Sequence, residues 1–262
     1  MVTPAQRPHP SAFRQRFASG EQLVGTFIKT PTAHATEILG DLGFDFVVID
    51  EEHAPFDRLS IDTALMAARA SGTAGIVRVA SPTAAKLLSA LDCGAIGALV
   101  PHVSSAAKAR EIVAACRYRG GRRGYSGSPR SGRYGGSPMW ATVDAADAAT
   151  TVIAMIEDPE ALDEIDAIVA VEGLDGFFIG RGDLTVAFGA SSNDAPPVQA
   201  AVVRITTAAR AVRKPVCVMV ASAAEATAFQ ALGATAFIVS SDQSFMRRAA
   251  GQALADFAAL KK

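Results

Sequence analysis

The sequence predicts a single (β/α)8 TIM barrel of the α/β class. Three observations predict it. Eight short runs rich in Val, Ile and Phe alternate with Ala-rich segments of helical period along the 262 residues. The runs are apolar without a break, as expected of parallel strands covered on both faces. Glycines follow at helix ends, in Leu39-Gly40, Leu42-Gly43, Cys93-Gly94 and Leu232-Gly233, where a left-handed C-cap is needed. An open doubly wound sheet is the alternative, but the GxGxxG turn that usually follows its first strand is missing.

The elements follow in order. Residues 1–20 contain the basic, Pro-containing "MVTPAQRPHPSAFRQRF" and lack the apolar core of a signal peptide, so a flexible N-terminal arm is expected, with the barrel domain over 21–262. The β-rich run Leu23–Ile28 opens the barrel, and Thr32–Leu42 is its helix, closed by Gly43. Phe44–Ile49 pairs with a helix over Ser60–Ala70, and Gly75–Val79 with Ala84–Leu91, which Cys93-Gly94 closes. Ala95–Val100 precedes the helix Ser105–Arg117. Then Arg119–Asp147 breaks the rhythm with "RGGRRGYSGSPRSGRYGGSP", a length that suits a lid or a subunit contact. Thr151–Ile156 with Pro159–Val169, Gly176–Ile179 with Pro197–Val212, Val216–Val220 with Ala223–Leu232, and Ala236–Val239 with Gln243–Ala258 complete the repeat.

Composition excludes several classes. Twenty-five basic against 26 acidic residues leave a net charge of −1, giving no electrostatic case for nucleic acid or membrane. The Gly-rich segment is too poor in stacking aromatics for a nucleic-acid module. No apolar stretch reaches the ~18–20 residues that span a bilayer. Cys93, Cys116 and Cys217 lie far apart without a CxxC, as reduced packing residues of a cytoplasmic protein do.

In a barrel of this kind the chemistry gathers where strands end. Lys29-Thr30, Asp50-Glu51-Glu52-His53, Arg78, Pro101-His102, Glu157-Asp158 and "GRGDL" (Gly180–Leu184) follow successive strands, and Met219 lies at the end of the seventh. Glu157 and Asp183 are two carboxylates suited to a hard divalent cation, Mg2+, Mn2+ or Co2+. Arg78 offers a fork for an oxyanion. Gly180 and Gly182 let backbone N–H groups approach an anionic substrate. His53 suits proton transfer near neutral pH. Metal, arginine and base around an anion suit enolate chemistry. Blander roles stand beside these: rim ion pairs for Glu157, Asp183 and Arg78, or a helix cap for Asp183. Glu51 and Glu52 cannot both face inward on an extended chain. His9 and His34 read as surface residues, and His102 reads either way.

The stretches "GFDFVVIDEEHAPFD", "VRV", "LDCGAIGALVPHV", "RYRGGRRG", "MIED" and "VEGLDGFFIGRGDL", in this order, resemble the HpcH/HpaI-type pyruvate aldolases of the phosphoenolpyruvate/pyruvate barrel superfamily. The resemblance runs from about Leu23 to Ala258. It implies a class II, metal-dependent lyase that reversibly cleaves a 4-hydroxy-2-oxo acid to pyruvate and an aldehyde. Glu157 and Asp183 would hold the metal, and Arg78 would stabilise the enolate. His53 would be the acid–base group, oriented by Asp92 with Asp50 nearby. Gly182 and Asp183 would receive the substrate carboxylate through backbone N–H groups, with Arg181 and Met219 also in the substrate-binding set. It further implies a homo-oligomer, trimer or hexamer, with the last helix exchanged between subunits. The chain departs from the family at Arg181, usually Pro, at Met155, often Gln, at Glu51, usually a small residue, and in "GTFIKTP". The extra cations Lys29, Arg181 and Arg123 point to an anionic acceptor. Open alternatives are a citrate- or malate-type or CoA-ester lyase/synthase on the same barrel, a Schiff-base aldolase through Lys29, and a non-catalytic metabolite-binding barrel.

Overall fold

A computed structural model of the chain describes residues 8–261. Its strands are β1 (Leu23–Ile28), β2 (Phe46–Asp50), β3 (Ala74–Arg78), β4 (Gly97–Val100), β5 (Thr151–Ile156), β6 (Gly176–Ile179), β7 (Val216–Val220) and β8 (Ala234–Ser241). They close into one parallel barrel in sequence order, with β8 pairing back to β1. The helices are α1 (Phe13–Ala18), α2 (Ala33–Leu42), α3 (Arg58–Ala70), α4 (Ala84–Asp92), α5 (Ala106–Cys116), α6 (Met139–Ala149), α7 (Ile165–Val169), α8 (Arg181–Ala187), α9 (Pro196–Ala211), α10 (Ala223–Ala231) and α11 (Asp242–Asp256). No helix among the described residues is long and apolar enough to cross a membrane.

The unbroken apolar strands serve two cores. In β2, Val47 and Ile49 face the surrounding helices, while Phe46 and Val48 fill the barrel interior. Side chains at Thr32, Asp57, Thr83, Ser105, Ser222 and Ser241 cap the helices that follow. Gly43, Gly94 and Gly233 end helices with φ of 109°, 97° and 100°. Gly40 lies inside α2 instead of capping it, and packs against the Ser71 side chain.

The first correction concerns the arm expected over 1–20. Residues 1–7 lie outside the described residues, but Phe13–Ala18 is helix α1, and its Phe13 and Phe17 are fully buried in the barrel-interior core. Phe13 stacks on Phe17 at 5.7 Å and tilts against Phe46 at 5.3 Å. Gly176 makes room, since a Cβ there would lie 2.6 Å from the Phe17 ring. Arg14 and Arg16 pin the helix to Asp175 and Asp45, each at 2.8 Å. The segment therefore stops the lower end of the barrel, and a short, polar stretch around two phenylalanines hid that in the sequence. Phe17→Ala is expected to cost about 3–5 kcal/mol, read as a lowered urea midpoint.

The second correction concerns 119–147. This segment joins α5 to β5, so it lies at the N-terminal ends of the strands, away from the mouth where strands end. It cannot serve as a lid over its own site. Its last third lies in helix α6, and Asp147 there accepts the N–H groups of Tyr118 and Arg119, each at 2.9 Å.

Helix α11 stands apart. Only Asp242 in it is buried, and Met246, Leu254 and Phe257 are each at least 60% exposed.

Candidate active site

Asp50 and Arg78 are the last residues of neighbouring strands and sit in register. The guanidinium donates from Nε to Asp50 Oδ1 at 2.9 Å and from Nη2 to Oδ2 at 2.7 Å. Lys29 Nζ approaches Oδ2 at 2.9 Å, and the His53 backbone N–H donates to Oδ1 at 3.1 Å. Burial works to raise the Asp50 pKa, but the Arg78 hydrogen bond and charge outweigh it and hold the carboxyl below its usual value. Asp50 is thus an ionised hub that aims Arg78, whose face rests on the Phe27 ring at 4.8 Å.

After β2 the chain turns, which separates the adjacent acids. Glu51 swings outward to Lys86, at 2.7 Å, and the Ala80 N–H, so its partner is a lysine. Glu52 turns inward, 3.4 Å from Arg78 Nη1, 3.7 Å from His53 Nε2 and 3.8 Å from His102 Nε2. Burial raises the Glu52 pKa against the pull of the Arg78 charge. The His53 side chain is 55% exposed at the mouth.

Glu157 is 2% exposed and accepts the His102 N–H at 2.8 Å. Burial, with the Asp183 charge adding to it, raises its pKa to about 7. Gly180 is required beside it, because a Cβ there would lie 2.6 Å from Glu157 Oε2. The His102 ring lies 3.0 Å from Asp158, and burial works against protonation while the Asp158 hydrogen bond outweighs it and raises the pKa. Glu52, His102 and Glu157 each bring a ligand atom within 4.8 Å of the others, so the trio could hold a metal ion. Gly180→Ala is expected to displace the Glu157 carboxylate and weaken divalent-metal affinity about 10–100-fold, read by calorimetric titration.

A cleft of about 860 Å3 opens at this end. Residues expected from the sequence line it, Arg78, Arg181, Gly182, Asp183 and Met219 among them. Glu157 abuts it through Gly180, and Glu52 through Arg78. The space around Gly182 is open, with nothing within 4 Å of where a Cβ would stand.

The expectations for four residues change here. Asp92 ends α4 at the opposite end of the barrel from His53, because helices run back against the strands, and it lies near Arg123 and Ser131 instead. One chain cannot bring Asp92 to His53. Arg181 lines the cleft but is not a free cation. Its Nη2 donates to the Met219 carbonyl at 2.7 Å and pairs with Glu225 at 2.7 Å, above the Phe229 ring. Lys29 is likewise held by Asp50, and Arg123 lies on the far face. Conversely, sequence reasoning did not choose between Glu51 and Glu52 and left His102 open. Glu52 and His102 both follow strands, but His102 enters the site through a left-handed backbone, φ 54°, which a non-glycine sequence does not advertise.

Comparison with known proteins agrees with this geometry. A family model described as HpcH/HpaI aldolase/citrate lyase matches residues 23–249. A 5-keto-4-deoxy-D-glucarate aldolase from Enterobacter sp. (strain 638) is 35% identical over 94% of this chain and 96% of its own. Among solved structures, an HpcH/HpaI aldolase/citrate lyase family protein from Burkholderia cenocepacia J2315 aligns with a TM-score of 0.89, at 28% identity over 94% of this chain and 98% of that one. The citrate synthase SbnG aligns with a TM-score of 0.84, at 30% identity over 93% and 96%. The chain belongs to the HpcH/HpaI aldolase/citrate lyase family and is an enzyme, an aldolase of the carbon–carbon lyase class.

Proposed function

We propose that this enzyme is a class II aldolase that reversibly cleaves a 4-hydroxy-2-oxo acid to pyruvate, or a close analogue, and an aldehyde. The observation that carries this reading is the buried Glu157 carboxylate. It stands beside Asp183 with no lysine or arginine ion-paired to either among the described residues, and its pKa is raised to about 7. Such a carboxylate lacks a permanent cation, and an all-oxygen donor set suits Mg2+, Mn2+ or Co2+. Glu157 and Asp183 would hold the ion, with Glu52 and His102 beside it. The ion would supply Lewis acidity at the oxo group.

The remaining work falls to side chains. Arg78, held by Asp50, donates toward the oxygen that gains charge as the C3–C4 bond breaks. His53 takes the 4-hydroxyl proton as the aldehyde forms and returns one to C3 of the enolate, which completes pyruvate. The first-turn N–H groups at Gly182 and Asp183 have no acceptor within their helix and suit the substrate carboxylate. The kinship with 5-keto-4-deoxy-D-glucarate aldolases supports a sugar-diacid substrate, whose aldehyde half keeps a carboxylate. Arg248, which also lines the cleft, is the cation left for it once Lys29 and Arg181 are paired.

The likeness to a citrate synthase at 30% identity supports a second reading, condensation of an enolate with an oxo-dicarboxylate. The exposed α11 supports a homo-oligomer, trimer or hexamer, that covers this helix on a neighbour. The three buried free cysteines support a cytoplasmic setting. Incubation with 5-keto-4-deoxy-D-glucarate, with pyruvate read by lactate dehydrogenase, tests the reading. EDTA-sensitive pyruvate release supports it. Citrate formed from an acetyl donor and oxaloacetate, without pyruvate release from the sugar acid, favours the second reading.

A further inference from the structure

A second cleft, of about 660 Å3, opens on the opposite face of the barrel, between α3, α4, α6 and the segment joining α5 to α6. Among the described residues four arginines line it, Arg69, Arg123, Arg130 and Arg133, and no carboxylate does. Two other guanidinium forks are filled side-on by a carboxylate, one at the aldolase mouth and one in this cleft. Arg78 offers Nε and Nη2 to Asp50, and Arg130 offers the same pair to Asp62 at 3.3 and 2.6 Å. Arg123 is the exception. Its side chain is 1% exposed, and its Nε and Nη2 are buried with no hydrogen-bond partner among the described residues.

The nearest carboxylate does not fill that fork. Asp92 Oδ1 stands 3.6 Å from Nη2, past hydrogen-bond reach, and shares itself with the Ser131 hydroxyl. Leaving a buried guanidinium fork empty is costly, so the site is built for an acceptor with two oxygens in the fork's plane. The Thr142 hydroxyl, also lining the cleft, is likewise buried without a partner. Arg69 and Arg133 have no ion pair among the described residues, and Asp62 and Asp92 offset only the other two arginines. Among the described residues the cleft therefore carries an excess of two positive charges.

We propose that this cleft binds a phosphate group, free or on a small metabolite, at a site separate from the aldolase centre. Two oxygens occupy the Arg123 fork, and the others meet Arg133 and the Ser131 and Ser137 hydroxyls that line the cleft. A dianion matches the charge excess, and a tetrahedral group reaches donors outside the fork's plane, which a planar carboxylate does not. The fork is buried, so the anion enters as the turn over Arg130–Gly135 shifts, where Arg133 and Tyr134 sit at φ 53° and 55°.

The test is alanine-methyl NMR of the intact enzyme, titrated with inorganic phosphate at constant ionic strength made up with chloride. Ala141 and Ala145 report this cleft and Ala221 reports the aldolase cleft. Saturable shifts at Ala141 and Ala145, absent at Ala221, are expected. Arg133→Ala, an exposed change that leaves the buried fork intact, is expected to raise the midpoint about tenfold. Arg123→Lys, which keeps the charge and loses the fork, is expected to abolish saturation. Glycerol 3-phosphate binding tighter than inorganic phosphate assigns the site to a phosphate ester, and equal midpoints assign it to free phosphate. Shifts only at Ala221, shifts indifferent to both variants, or shifts that follow protein concentration instead of phosphate each overturn the proposal.

Discussion

Glu157→Gln is expected to lower turnover about a thousandfold while leaving the barrel folded. The substitution keeps the shape and the acceptor for the His102 N–H, 2.8 Å away, and removes the charge that a divalent ion needs. Calorimetric titration with Mg2+ and Mn2+ should show lost affinity alongside the lost rate. The metal-free protein supplies a second readout. The folded pKa of Glu157, about 7, lies above its unfolded value, so the folded state holds the proton more tightly. Stability of the metal-free wild type therefore falls as pH rises from the ordinary carboxylate range to about 7, and in Glu157→Gln that fall is reduced. A variant that binds metal normally, or that turns over at the wild-type rate, contradicts the assignment.

Asp50→Ala is expected to do more damage than its distance from the reacting atoms suggests. Asp50 is wholly buried and receives Arg78, Lys29 and the His53 N–H. Removing it takes the bidentate partner from Arg78 and the carboxylate from Lys29, at a cost of about 3–5 kcal/mol in stability. It also frees Arg78 from the bidentate contact that aims it, so kcat should fall about 100-fold or more. Asp50→Asn keeps most of the shape and should recover stability more than rate. Thermal unfolding and steady-state kinetics on the two variants separate these effects. Equal kcat in wild type and Asp50→Ala would remove Arg78 alignment from the account.

The fold was legible because the repeat is regular. β1, β5, β6 and β7 begin and end where their apolar runs do, and the other strands shift by one or two residues. What escaped depends on contacts distant in sequence. Phe13 and Phe17 look like part of a polar arm until Gly176, far along the chain, is seen to leave space for the Phe17 ring. Helix α6 was masked by the Gly-rich run before it, and the short helix α8 by the glycines of "GRGDL". The site was legible where chemistry follows a strand directly, as with Asp50, Arg78, Glu157 and Asp183. Pairings were not. No local pattern says that Arg181 is held by Glu225, that Glu51 turns away to Lys86, or that Asp92 and His53 fall at opposite ends of the barrel.

The central claim is that this site makes an enolate of pyruvate with a divalent cation, and it can be tested without knowing the aldehyde. Pyruvate is mixed with the enzyme in D2O and its methyl protons are followed by NMR with Mg2+, with trace Mn2+ and with EDTA. The account predicts metal-dependent deuterium exchange that EDTA stops, that Glu157→Gln abolishes and that Arg78→Ala slows about 100-fold. Exchange that persists in EDTA, or that survives Glu157→Gln, would contradict it.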